Sequence, residues 1–235
     1  MSIIELKTDL DHVDKIYHVS DIHLRNVKRH KEYRGVFDEF YRMVKSDGLD
    51  NAIIFVGGDI AHAKTDMSPE LVTEIATFFK RLTELHPTIV IAGNHDCNLN
   101  NPHRLDVLTP IVDMSKLPDL YYLRDGGVYR FADILITVMS VFDEPDKYIR
   151  ASELKESSAT TKLATFHGMV NKSYTDVGWM VTNKNIELGL FDGYDMVLMG
   201  DIHRYQVLQD YETEAKYVPE DKVVDHVADG WEVAE

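Results

Sequence analysis

Five short apolar runs, each breaking off into glycine, aspartate, asparagine or histidine, constrain this chain more than any other feature. Residues 15–20 lead into Asp21-Ile22-His23, and residues 52–56 into Gly57-Gly58-Asp59. Residues 88–92 lead into Gly93-Asn94-His95-Asp96, residues 163–166 into His167-Gly168, and residues 196–199 into Gly200-Asp201-Ile202-His203. Runs of this length read as strands, and the uninterrupted 52–56 run reads as one buried on both faces. Between them lie helical patterns. Residues 32–46 place Val36, Phe37, Phe40, Tyr41 and Val44 on one face. Ser68-Pro69-Glu70 is a helix start, with a capping hydroxyl, proline at the first helical position and an early carboxylate. Residues 104–115 fit a third helix, with Pro110 in its middle. Strands at 121–123, 128–131 and 134–141 are expected, with Asp125-Gly126-Gly127 as a hairpin turn; residues 144–161 read as a polar loop or lid-like insertion. Alternation of this kind makes an α/β fold.

In α/β folds, sites gather at the carboxyl ends of strands, where glycine lets the backbone turn and approach a ligand. Any one of these side chains is ordinarily a turn former or a core histidine. Five strand ends carrying the same residue types in series are not. Imidazole, carboxylate and amide donors without thiolate suit manganese, iron, zinc or magnesium, and the carboxylate content leans toward manganese. The donors are too many for one ion and suit two that share a carboxylate. Two metals about 3.5–4 Å apart activate a bridging water and clamp a phosphoryl group.

Composition narrows the rest. The chain has 235 residues and a single cysteine, Cys97, so an internal disulfide framework and a Cys-cluster zinc site are excluded. Residues 1–7 carry no apolar leader, and the longest nearly apolar stretch, 134–142, is too short to span a bilayer. A cytoplasmic protein with no membrane partner is expected. The net charge of −15 gives no global attraction to nucleic acid. Nearly half of the net charge sits in residues 206–235, which hold nine Asp or Glu against Lys216 and Lys222. The basic cluster Arg25, Lys28, Arg29, Lys31 and Arg34 follows the first Asp-x-His and could guide a phosphate backbone. Trp179 reads as loop packing rather than a base-stacking residue.

The series Asp-x-His, Gly-Asp, Gly-Asn-His-Asp, lone His and Gly-x-x-His resembles the calcineurin-like metallophosphoesterases over residues 16–204. Within them the chain is most similar to the SbcD-type DNA repair exonucleases and phage recombination endonuclease subunits. That likeness rests on Gly58-Asp59-Ile60-Ala61-His62, on Lys64 through Glu70, and on Gly93 through Asn98 running to Arg104-Leu105-Asp106. The resemblance implies a four-layer sandwich of two mixed β-sheets flanked by helices. A nuclease domain would occupy residues 1–205, followed by an acidic segment, 206–235, as a tail or the start of a missing cap. It further implies one metal on Asp21, His23, Asp59 and His203, and a second on Asp59, Asn94, His167 and Asp201. His95 would act on the leaving oxygen with Asp96 orienting it, and His62 would face the DNA strand. Asp201 departs from the pattern, standing where the family has histidine, and reads as a ligand swap toward manganese or magnesium. Expected partners are DNA, an SbcC-type ATPase subunit and a second copy of the chain; the compartment would be the host cytoplasm for a phage-encoded protein. Two other readings stand beside the nuclease: a general phosphodiesterase or phosphatase on small phosphoesters, and an interaction scaffold that has lost catalysis.

Overall fold

The structure, a computed structural model, describes residues 2–101, 103–154, 161–182, 186–204 and 206. Nine strands and three α-helices follow in the order β1 (Ile3–Glu5), β2 (Lys15–Val19), α1 (His30–Asp47), β3 (Ala52–Val56), α2 (Pro69–Thr83), β4 (Thr88–Val90), α3 (Leu108–Ser115), β5 (Leu120–Tyr122), β6 (Gly127–Phe131), β7 (Ile134–Met139), β8 (Thr161–His167) and β9 (Met196–Gly200) among the described residues. They form two sheets. One is parallel throughout, in the order β2-β3-β4-β5; the other is mixed, in the order β1-β6-β7-β8-β9.

Strand β3 explains the layering. Successive side chains of a strand point to opposite faces. Ala52, Ile54 and Val56 therefore pack under the helices, with Phe37 and Phe40 of α1, Ile75 and Phe79 of α2 and Leu108 of α3. Ile53 and Phe55 turn the other way and meet Phe131, Ile136, Val138 and Leu163 of the second sheet. Fully burying a side chain such as Phe55 contributes on the order of 1.5–3 kcal/mol, so a strand apolar on both faces ties the two cores together. Beyond the second sheet, Phe166 and Met139 are covered by Val170, Ile186, Leu190 and Phe191. That layer is made of loops and the short 3-10 turn Leu188–Phe191 among the described residues.

Two expectations need correcting. Asp125-Gly126-Gly127 is a crossover between sheets, because β5 pairs with β4 while β6 pairs with β7 and β1. The hairpin turn is instead Ala132-Asp133, where Phe131 pairs with Ile134 and Ala132 takes φ 51° without a glycine signal. The third helix starts at Leu108, not at 104, because Asp106 Oδ1 accepts from the backbone N–H groups of Leu108 (2.9 Å) and Thr109 (2.7 Å). Pro110 then falls in the first turn, where a missing N–H costs nothing. Within the polar 144–161 stretch, Pro145–Lys147 and Ala151–Glu153 are 3-10 turns, and residues 155–160 lie outside the described residues. The acidic segment lies outside them too, save for Gln206.

Helix α2 begins as its sequence predicts. Ser68 Oγ accepts from Leu71 N (3.1 Å) and donates to the Asn26 carbonyl (2.5 Å), while Ser68 N donates to Asn26 Oδ1 (3.1 Å). One side chain thus caps the helix and tethers it to the loop after β2. Ser68→Ala is expected to lower stability by about 1–2 kcal/mol, the upper part of the range for a lost cap, because the tether goes with it. Urea denaturation checks this; an unchanged midpoint would show that neither bond matters.

Candidate metal centre

Pairing in register brings the carboxyl ends of the strands level. Val19 stands opposite Val56, Val56 opposite Val90, and His167 opposite Gly200. The loops after β2 and β3 continue the parallel pairing past the strands. Asp21 N donates to Gly58 O (3.0 Å), His23 N to Asp59 O (2.9 Å) and Leu24 N to Ile60 O (2.8 Å). Helix α1 holds the same loop, since Tyr33 donates its hydroxyl hydrogen to the His23 carbonyl (2.9 Å). Within this frame Asp21, His23, Asp59 and Asp201 all adopt left-handed backbone angles, φ 56°, 50°, 54° and 75°. For residues other than glycine such angles cost on the order of 1–3 kcal/mol each and cluster where side chains must be aimed.

The side chains converge on Asp59, which is only 1% exposed. His23 Nε2 lies 3.6 Å from Asp59 Oδ2, and His167 Nε2 lies 3.3 Å from Asp59 Oδ1, so the two carboxylate oxygens face different imidazoles. Asp21 Oδ1 sits 3.4 Å from His203 Nε2 and 4.0 Å from His167 Nε2. Two donor groups result that could each hold a metal ion: Asp21, His23 and His203, and Asp21, Asp59 and His167. A third group joins His23, His62 and His95. The base of the site is sealed and its rim open: the His167 side chain is fully buried, that of His203 46% exposed.

Hydrogen bonds settle which nitrogens are available. His167 Nδ1 lies 2.6 Å from the Gly57 carbonyl. A carbonyl only accepts, so Nδ1 carries the proton and, in the neutral ring, Nε2 presents its lone pair to the carboxylates. His95 Nδ1 is held likewise by the His62 carbonyl (2.8 Å), leaving Nε2 as the working nitrogen. His95 N donates to Asp59 Oδ1 (2.7 Å). Among the described residues, the buried side-chain polar atoms without a hydrogen-bond partner concentrate here: both nitrogens of His23, His62 Nδ1, Asn94 Oδ1 and His167 Nε2. Buried polar atoms are normally satisfied, and an orphaned set of lone-pair donors around carboxylates fits divalent cations.

Electrostatics agree. Burial works against ionised Asp59, but His167, the His95 N–H and His23 outweigh it and hold its carboxyl below the usual range. Burial likewise opposes the Asp21 carboxylate, and His203 and His167 overcome it. Burial pushes His23 down to about 4 against the pull of Asp59, so its ring is neutral and able to ligate. Burial opposes charge on His167 too, yet Asp59 and Asp21 raise it to about 9, so without a cation Nε2 carries a proton toward the carboxylates, which a metal ion would displace. The Asp201 carboxyl is raised, by burial first and, against the pull of His167, by the charges of Asp59 and Asp21. A carboxylate pressed against two others is relieved by a cation.

Several expected roles fall differently in space. Asp96 does not reach His95. Its buried carboxylate accepts instead from Ala61 N (2.8 Å) and Gly93 N (2.9 Å), clamping the loops after β3 and β4 together, and burial above all raises its pKa to about 7. The His62 carbonyl holds His95 in its place. The Asp201 carboxylate joins none of the three donor groups; its backbone N–H donates to Asp21 Oδ1 (2.9 Å) and Oδ2 (3.1 Å). His62 stacks beside His95, ring centroids 5.8 Å apart. In the basic cluster, Arg29 pairs with Glu32 and Arg34 with the buried Glu74. Arg25 and Lys28 are exposed, and Arg25 is near enough to His62 to help lower its pKa, after burial. No motif pointed to the carbonyls of Gly57 and His62 as orienting groups, since a backbone acceptor leaves no trace in residue type.

The glycines before the polar residues make room for ligands. A Cβ on Gly93 would stand 2.1 Å from Asp59 Oδ1 and 2.3 Å from Asp59 N. Gly93→Ala is expected to displace Asp59 and cut bound divalent metal to well under half of the wild-type content by elemental analysis. Gly35, in α1, has nothing within 4 Å of an added Cβ. Gly35→Ala should keep the metal and gain about 0.5–1 kcal/mol of stability. Equal metal content in both variants would refute the packing role of Gly93.

Residues 14–205 match the Calcineurin-like phosphoesterase family, and the chain belongs to it. A protein of Acanthamoeba polyphaga mimivirus, uncharacterized protein R555, is 44% identical over 208 residues. The matched region covers 85% of this chain and 15% of the viral protein, so the chain spans only a small part of that relative's length. The family is one of phosphoesterases. Among the described residues no helix is long and apolar enough to cross a membrane.

Proposed function

We propose that this calcineurin-like phosphoesterase is a DNA nuclease, cleaving phosphodiester bonds in recombination or repair with two manganese ions and an SbcC-type ATPase partner. The observation that carries the dinuclear part is the division of Asp59, with one carboxylate oxygen toward His23 and the other toward His167. Asp21, His23, Asp59 and His203 would hold one ion; Asp59, Asn94 and His167 would hold the other, with Asp201 beside them. When bound, the pair supplies an activated water and charge neutralisation for an in-line displacement.

The chain's own residues supply the rest. His95 is fixed by the His62 carbonyl, so one rotamer and one tautomer are preset. Its Nε2 can then hold a proton and release it to the leaving oxygen, work typically worth on the order of 10²–10⁴ in rate. His62 stacks beside His95, and Arg25 lies near His62, where a phosphate backbone would pass. The stretches that resemble SbcD-type nucleases, Gly58 through His62, Lys64 through Glu70 and Gly93 through Asn98 running to Asp106, support DNA as the substrate.

One observation favours a second reading, hydrolysis of small phosphodiesters. The net charge is −15, and two of the cluster's five cations are engaged by Glu32 and Glu74. Manganese-supported assays on an oligonucleotide and on a small chromogenic phosphodiester separate the two. A nuclease prefers the oligonucleotide by orders of magnitude; a reversed preference sinks the DNA reading.

Asp59→Asn, which removes charge but little volume, should abolish hydrolysis of either substrate while the circular dichroism stays native. His95→Asn should keep its metal by elemental analysis and hydrolyse about 10²–10⁴ times more slowly. Metal loss in the His95 variant would move that residue into the ligand set.

A further inference from the structure

Residues 172–181 form a short hairpin beside the metal centre. Lys172 N donates to Val181 O and Val181 N to Ser173 O, both at 2.8 Å, and Tyr174 bridges Met180. The turn is closed by Thr175 N to Trp179 O (2.9 Å), by Trp179 N to Thr175 Oγ1 (3.1 Å), and by Gly178 at φ 83°. The hairpin is fastened to the loop that carries His203. Gln206 accepts from Tyr174 N (2.7 Å) and donates to Tyr174 O (2.9 Å). The Asp176 carboxylate is close enough to add to the raised pKa of His203, behind the larger effect of Asp21.

This well-tied hairpin presents an apolar surface to solvent. Trp179 is 76% exposed and Val177 77%, with Met180 and Tyr174 about half exposed. The sequence reading of Trp179 as loop packing is therefore corrected: a ring that exposed is not filling a core. A cation stands next to it, since Arg204 Nη1 lies 3.6 Å from where a Cβ on Gly178 would be. Arg204 directly follows the metal-facing His203.

We propose that the Trp179 hairpin is a nucleobase-stacking platform that seats the substrate strand, with Arg204 on the adjoining backbone. The inference rests on the phosphodiester nuclease reading and names how that site grips its strand. A planar group attached next to a phosphodiester, with an anionic backbone, is a nucleotide. An exposed indole and a guanidinium beside a metal-facing histidine complement both parts of it. Stacking needs no particular base, so the platform favours unpaired strands over duplex.

The test uses fluorescence and kinetics together. The chain has two tryptophans, so Trp231→Phe leaves Trp179 as the sole reporter. A phosphorothioate single strand, which resists cleavage, should quench this emission; an abasic strand of the same length should not. In steady-state assays, Trp179→Ala should raise KM for a single-stranded oligonucleotide about 10-fold or more with little change in kcat, and Trp179→Phe should recover most of the loss. An abasic strand should raise the wild-type KM to the level of the alanine variant. Equal quenching by both strands, or an unchanged KM in Trp179→Ala, overturns the platform. So does sedimentation showing that Trp179→Ala dissociates a dimer while KM stays fixed, which would assign the hairpin to a second copy of the chain. If quenching occurs but the wild type cleaves no oligonucleotide, the nuclease reading fails while the platform stands. Cleavage without quenching or KM change leaves the nuclease and removes the platform.

Discussion

The structure depends on holding carboxylates close together on a backbone that would rather not place them there. Asp21, Asp59 and Asp201 sit within mutual influence, and all three occupy left-handed angles. Neighbouring histidines offset the repulsion at Asp21 and Asp59 but not at Asp201, and the strain of the backbone angles remains. Both are imposed by the regular part of the molecule, where β2 and β3 stay in register to their ends and the loops beyond them go on exchanging backbone hydrogen bonds. Because β3 is buried on both faces, its position is fixed by two cores at once, and a shift of the Asp59 loop would have to disturb both. The apolar strand is thus the anchor for the most charged point in the fold.

The two sheets reach that point from opposite sides and are stitched together there by polar bonds. His167, from the end of β8, donates from Nδ1 to the carbonyl of Gly57 at the end of β3, and Asp201 N, just past β9, donates to Asp21 just past β2. Each bond fixes a member of a candidate donor group while closing the sandwich. Site geometry and inter-sheet packing are therefore coupled, and Asp96 extends the coupling by tying Ala61 to Gly93 in the buried interior. A buried carboxylate with two N–H partners is expensive to remove, because both donors would be left unsatisfied.

Much of this was readable from residue type and position. The apolar runs located eight of the nine strands, and Ser68-Pro69 located the start of α2, because burial and capping act over a few adjacent residues. Strand β1 escaped because three residues carry no periodicity, and its partner, β6, is more than a hundred residues away. The Ala132-Asp133 hairpin escaped because its alanine takes an angle that normally announces itself through glycine. At the site, residue type indicated which side chains could ligate but not which neighbours would orient them. Asp96 follows His95 in sequence, yet the turn aims it into the interior and lets the His62 carbonyl hold the imidazole. The basic cluster was legible as composition. Its partial neutralisation was visible where Arg29 meets Glu32 three residues on, and invisible where Arg34 meets Glu74, forty residues away.

That neutralisation bears on how so acidic a chain could engage a polyanion. At physiological ionic strength the Debye length is about 8 Å, so exposed carboxylates farther off are largely screened from a phosphate at the rim. What such a phosphate feels is the immediate lining: the donor groups around Asp59, the exposed Arg25 beside His62, and Arg204 beside His203. Divalent cations among those donors would reverse the sign of a lining that is otherwise carboxylate-rich, and the two arginines stand on the His62 and His203 sides of it. Net charge governs the approach from a distance, slowing encounter and making it salt-dependent. The local arrangement governs what happens on arrival. A site whose attraction comes from bound cations holds a phosphodiester only where those cations are, which restricts binding to the place where hydrolysis can follow.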